Sequence, residues 1–230
     1  LRDYDKANRD YRQLQNLANK NNYRRMEALA WQRLGKIAAR TTQYEEATVH
    51  LIHAQRISDS LQDAELAAMI GNTLGILRYV LKDHAQALAL CQTSEAALRS
   101  SQYPANYAEA LDHIGIIYGG KNDWATAYRY FDQTLAIRKT LGDKYFLAGT
   151  LSNLGLASLR LEKTSEALEF LTSSLKLSQE TQDMDLQAAT EYRLGRLQQR
   201  LGQPNTALGH LNQALQLHRR LGDKRGAQAD

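Results

Sequence analysis

Apolar residues recur along this chain at the three- and four-residue intervals of amphipathic helices, on both sides of short polar breaks. Laid on itself, the pattern has one dominant period. Gly35, Gly75, Gly115, Gly155 and Gly195 are forty residues apart, each preceded by a large aliphatic: Leu34, Leu74, Ile114, Leu154 and Leu194. Twelve residues after each glycine stands an alanine (Ala47, Ala87, Ala127, Ala167, Ala207), and four further on a bulky or apolar residue (Leu51, Cys91, Phe131, Leu171, Leu211). Five columns in register predict five full helical hairpins. Their second helices open after Gln43, Asp83, Asp123, Lys163 and Gln203.

Junctions between units fall at Leu61-Gln62-Asp63, Leu141-Gly142-Asp143, Thr181-Gln182-Asp183 and Leu221-Gly222-Asp223. Gly142 and Gly222 suit a left-handed C′ position, and the aspartate that follows suits an N-cap. Pro104 and Pro204 stand where a first helical turn begins, the position at which proline costs least. The units are 23–62, 63–102, 103–142, 143–182 and 183–222, preceded by a half unit over 1–22 and followed by the start of another over 223–230. A glycine inside a helix costs about 1 kcal/mol relative to alanine. The pattern offsets that cost if Gly155 faces Ala167 across the hairpin and lets the two backbones approach.

Composition fits an all-α reading. Of 230 residues, 43% are hydrophobic and 23% charged, enough to bury a core and too apolar for disorder. No run approaches the eighteen apolar residues of a membrane span. The chain opens on Leu1 with no charged-then-apolar leader, so it reads as a segment cut from a longer array, with ends at residues 1–20 that should self-associate. A lone cysteine, Cys91, cannot form an internal disulfide; it favours a reducing, cytoplasmic setting, with a periplasmic sensor domain as the alternative. The net charge of +4 resides wholly in residues 191–230, which hold seven Lys/Arg against three acids and leave 22 of each sign before them.

These columns resemble the tetratricopeptide repeat (TPR). Trp31, Leu34 and Gly35 match its first-helix pattern, as do Ile114, Gly115 and Tyr118; Ala47, Leu51 and Ala54 match its second helix, as do Ala127, Phe131 and Thr134. The forty-residue unit, longer than the family's usual one, and the Leu-Gly-Asp junction are similar to the animal polarity adaptors LGN and Pins and to arrays in bacterial multidomain signalling proteins. The resemblance implies a right-handed superhelical α-solenoid of antiparallel helix pairs whose first (A) helices line a concave groove. It places partner-binding residues three before, one after, and four and five after each glycine. Those positions hold Gln32, Asn72, Asp112, Ser152 and Tyr192; Lys36, Ile76, Ile116, Leu156 and Arg196; Tyr79 and Leu159; and Arg160 and Arg200. The expected ligand is a protein or peptide segment, apolar at its centre and acidic toward the end that meets Arg160, Arg196 and Arg200. Gln32 and Lys36 stand where a carboxylate clamp for chaperone tails would need lysine and asparagine, which argues against that ligand.

No catalytic constellation emerges. Gly115-Ile-Ile-Tyr-Gly-Gly120-Lys121-Asn122 approaches a phosphate-binding loop, but asparagine replaces the magnesium-holding Ser/Thr and no strand precedes it. His50 and His53 with Glu46 make weak metal spacing, better read as surface residues, and Cys91 sits in a core column. Arg193, Arg196 and Arg200 form a basic stripe, yet aromatic residues do not alternate with it as single-strand binders require. The sequence therefore predicts a non-enzymatic interaction scaffold without metal or cofactor, the docking or sensory part of a larger signalling protein. A ligand- or nucleic-acid-binding regulatory array is the alternative.

Overall fold

A computed structural model describes residues 4–226, with side chains through Gly222. Every element among them is an α-helix, and each forty-residue step holds an antiparallel pair. The chain divides into two compact units, residues 2–117 and 118–230, the division falling inside α6. The N-terminal unit contains α1 (Tyr4–Lys20), α2 (Arg24–Arg40), α3 (Tyr44–Leu61), α4 (Ala64–Val80), α5 (His84–Leu98) and most of α6 (Pro104–Gly120). The C-terminal unit continues through α7 (Trp124–Leu141), α8 (Lys144–Arg160), α9 (Thr164–Glu180), α10 (Met184–Arg200) and α11 (Pro204–Gly226).

Helix starts follow the expected chemistry. The side chains of Asp63, Asp83, Asp123 and Asp183 each accept a hydrogen bond from the backbone N–H three residues on, and Asp143 accepts from Tyr145 N and Phe146 N. Both prolines open helices. Helix ends repeat every twenty residues. Asn22, Thr42, Gln62, Lys82, Asn122, Gly142, Glu162, Gln182 and Gly202 all have φ between 52° and 70°. After most of them the next residue donates back to the carbonyl five positions earlier, as Gln43 N does to Ala38 O at 2.8 Å, which closes the helix end.

One junction departs from expectation. Gly222 does not turn; α11 runs through it to Gly226, so residues 223–226 extend the second helix of the last pair instead of opening a new unit. Residues 227–230 lie outside the described part of the chain.

The glycine column also needs correction. A methyl group at Gly155 would stand 2.6 Å from Leu171 Cγ, one at Gly35 would stand 2.7 Å from Leu51 Cγ, and one at Gly75 would stand 2.5 Å from Cys91 Sγ. The side chain that demands glycine is thus the bulky residue four after the alanine. The alanine contributes its backbone, with Ala47 O 3.3 Å and Ala207 O 3.2 Å from the site of the added methyl in their units. Alanine keeps that turn of the second helix slim, and glycine receives the leucine that follows.

Candidate interaction faces on the A helices

The A helices of the N-terminal unit are α2, α4 and α6. Gln32 and Asn72, expected to meet a partner, are buried. Gln32 Nε2 donates to Met69 O at 2.9 Å and to Thr73 Oγ1 at 3.1 Å, and Asn72 Oδ1 lies 3.0 Å from His113 Nδ1. Three residues before the glycine is thus where consecutive A helices bond to each other. Asp112, in the same column, is half-buried.

The residues one after the glycine do reach the surface. Lys36, Ile76 and Ile116 are half-buried on successive A helices, as is Tyr79, whose ring packs 5.2 Å from that of His84. Lys36 is not a free cation. Its Nζ lies 2.7 and 2.9 Å from the two carboxylate oxygens of Glu109, on an A helix two repeats away. Burial alone would raise the Glu109 carboxyl, but the charges of Lys36, His113 and Arg33 outweigh it and hold it down at about 2. This face carries its own neutralised ion pair.

The C-terminal unit presents α8 and α10. Ser152 is fully buried, and its Oγ lies 3.0 Å from Thr190 Oγ1. Leu159, expected on the binding face, belongs to the core with Ala167, Leu171, Leu194 and Leu197. Four residues past the glycine is just over one helical turn, and in this repeat that turn faces its own hairpin partner. Leu156 is half-buried; Tyr192, Arg160, Arg196 and Arg200 are exposed.

The three arginines expected to form one cationic surface are differently engaged. The Arg160 guanidinium lies 5.4 Å over the Trp124 ring, and Arg200 donates to Leu159 O at 2.8 Å and to Glu162 at 3.1 Å. Arg196 makes no ion pair with a described residue. Sequence reasoning missed Arg193 as a separate feature. Its Nη1 donates to Ser152 Oγ at 2.5 Å, and burial pushes its guanidinium down to about 10.

The other candidate chemistry resolves into packing. Gly115 to Gly120 are helical residues of α6. His50 is buried with Nε2 3.2 Å from Glu46, and the rings of His50 and His53 each lie 5.0 Å from Trp31. Cys91 is buried, and burial, assisted by the Glu109 charge, pushes its thiol up to about 12, which leaves it inert at neutral pH. Helix α1 half-buries Tyr11 and Leu14 and leaves Leu17 59% exposed. Among the described residues no helix is long and apolar enough to cross a membrane.

The tetratricopeptide repeat model matches residues 106–180 and again 146–220, which together make up half of the chain. The chain belongs to the tetratricopeptide repeat family. No curated protein matches the sequence. Among solved structures, its repeats are similar to BtubC (BKLC) from P. vanneervenii, with a TM-score of 0.73 at 15% identity over 96% of this chain and 91% of that one. A Rap protein complexed with Competence and Sporulation Factor gives 0.75 at 13% identity over 86% and 56%. The Rap conjugation gene regulator of plasmid pLS20, in complex with the Phr* peptide, gives 0.68 at 16% over 89% and 57%. At these identities the likeness is one of fold.

Proposed function

We propose that this tetratricopeptide repeat chain is a non-enzymatic scaffold that binds a peptide or protein segment on the exposed faces of its A helices, as the docking or sensory part of a larger signalling protein. The observation that carries the reading is the contrast between two columns. Residues three before the glycine are mostly drawn into contacts between A helices, whereas residues one after it stay accessible: Ile76 and Ile116 on A helices of the N-terminal unit, Leu156 and Arg196 on those of the C-terminal unit. Within the N-terminal unit, Ile76 and Ile116 at this repeated position offer apolar contacts to the side chains of a segment laid along them. The Rap proteins similar in fold were solved in complex with Competence and Sporulation Factor and with the Phr* peptide, which makes a peptide the ligand class to try first.

The faces call for different ligand chemistry. Around Ile76 and Ile116 Lys36 is neutralised by Glu109, so this surface takes apolar side chains. Around Tyr192 and Arg196 an acidic group is favoured. The forty-residue unit aligns this reading with adaptors of the LGN and Pins type, and a lone buried thiol suits a cytoplasmic setting.

Affinity capture from a lysate of the native host, with the parent chain, Ile116→Asp and Arg196→Glu in parallel, tests the proposal. A partner held by the parent should be lost from Ile116→Asp, which places a carboxylate among apolar contacts, and weakened most at low salt by Arg196→Glu. Retention of the same partner at parental strength by both variants, with their melting temperatures unchanged, would refute it.

A further inference from the structure

Arg193 on α10 is a half-buried guanidinium with no acidic partner among the described residues. A guanidinium carries five N–H donors and stays charged in water. Here one donor is assigned: Nη1 to Ser152 Oγ on α8. That hydroxyl is itself tied into a buried chain, 3.0 Å from Thr190 Oγ1, which lies 3.4 Å from Ser174 Oγ, which donates to Ala148 O at 2.8 Å. The chain fixes Ser152, and Ser152 fixes one edge of the guanidinium.

No carboxylate forms an ion pair with Arg193 among the described residues. The acid nearest in sequence, Glu191, is buried and bonded to His210 Nδ1 of α11 at 2.6 Å. Some other cations of the array are matched by acids: Lys36 by Glu109, Arg25 by Asp63, Arg200 by Glu162. A desolvated, uncompensated cation lowers stability, and burial holding this guanidinium down at about 10 reflects that cost. Its neighbour one turn on, Arg196, adds a second positive charge that no described acid neutralises.

We propose that Arg193, held by Ser152, is an anion-recognition point of the C-terminal unit that receives a carboxylate, with Arg196 supplying additional field. One bound edge leaves the rest of the fork for a planar two-oxygen group, which a carboxylate matches with two parallel hydrogen bonds. The carboxylate belongs to a peptide, as an Asp or Glu side chain or as a chain terminus. This deepens the reading of the A-helix faces and rests on it.

The test uses acetate as the probe, so it needs no partner. Sodium acetate replaces sodium chloride at constant ionic strength while the thermal midpoint of the parent, Arg193→Gln and Arg193→Lys is followed. The parent midpoint should rise saturably by about 1–2 °C, the response of a weak ligand that binds only the folded state. Arg193→Gln should show no rise and should melt no lower than the parent in chloride, because removing an uncompensated charge relieves a cost. An arginine with a purely structural role would instead be missed on removal. Arg193→Lys should keep less than half of the response, having lost the fork. Two short peptides, one amidated with an internal Glu and one with Gln and a free C-terminus, then separate the two carboxylate sources by which gives the larger shift. An equal acetate response in parent and Arg193→Gln overturns the site, and inorganic phosphate outperforming acetate overturns its assignment to carboxylates. Neither result bears on the capture experiment at Ile116 and Arg196, so the two readings fail separately.

Discussion

The two units are built from the same repeat yet treat particular cations of their A helices differently. In the N-terminal unit Lys36 finds Glu109 across two repeats, and the two charges neutralise each other. In the C-terminal unit Arg193 and Arg196 have no described acid to pair with. Beneath both faces the packing is the same: a glycine receives a bulky side chain from the second helix at Gly35 and Gly75 as at Gly155 and Gly195. The core repeats faithfully and the face does not. Changes at the shared positions should therefore have equal effects in the two units, and changes at the faces unequal ones.

The largest expected effect tests the shared part. Gly35→Leu and Gly155→Leu each force a side chain into space held by Leu51 or Leu171, and each should cost about 3 kcal/mol. Thermal or urea melts that tolerate either substitution would break the proposed equivalence of the cores.

A smaller effect separates the faces. Lys36→Met leaves the Glu109 carboxylate partly buried without its partner and should cost about 2 kcal/mol. The acid limb sharpens this. The Glu109 carboxyl, near 4.3 in an unfolded chain, is held at about 2 in the folded one. Its contribution to stability is present above the unfolded value and is lost as pH falls toward 2. The parent should lose stability across that window, and Glu109→Gln should lose distinctly less. Matching acid limbs in chemical denaturation would remove the ion pair from the account.

The smallest effect lies in the turns. In the N-terminal unit Asn22, Thr42, Gln62 and Lys82 all adopt positive φ without glycine, whereas the C-terminal unit uses Gly142 and Gly202 at two of its five such turns. Thr42 is β-branched at φ 64°, an unfavourable conformation. Thr42→Gly should stabilise by about 1 kcal/mol and Gly202→Thr should cost a similar amount. Equal melting temperatures in both variants and the parent would show that turn strain does not distinguish the units.

Much of this was legible in the residues. The forty-residue spacing, the capping aspartates, the two prolines and the core position of Cys91 all follow from local rules applied to each repeat, and repetition makes every local signal count five times. The faces were less legible. Gln32, Asn72 and Ser152 look like accessible polar side chains in a one-dimensional register, and only packing shows that the neighbouring A helix consumes their hydrogen bonds. Lys36 and Glu109 are 73 residues apart, which is no multiple of the period, so no column could have paired them. The isolation of Arg193 is equally invisible from spacing, because it depends on where Glu191 points.

One tetrapeptide marks the boundary between the two kinds of information. Leu-Gly-Asp-Lys occurs at residues 141–144 and again at 221–224. At the first, Gly142 turns left-handed at φ 69° and Asp143 caps α8; at the second, the helix continues to Gly226. Sequence supplied both sites with a residue able to turn. Turning gives up intrahelical hydrogen bonds, and that loss is offset at Gly142 because α8 buries Ala148, Leu151 and Leu154 and lets Arg138 donate to Phe146 O and Thr150 Oγ1. At Gly222 the backbone keeps its helical bonds, and α11 runs on to Gly226. Local sequence determined where the chain can turn; tertiary burial decided where it does.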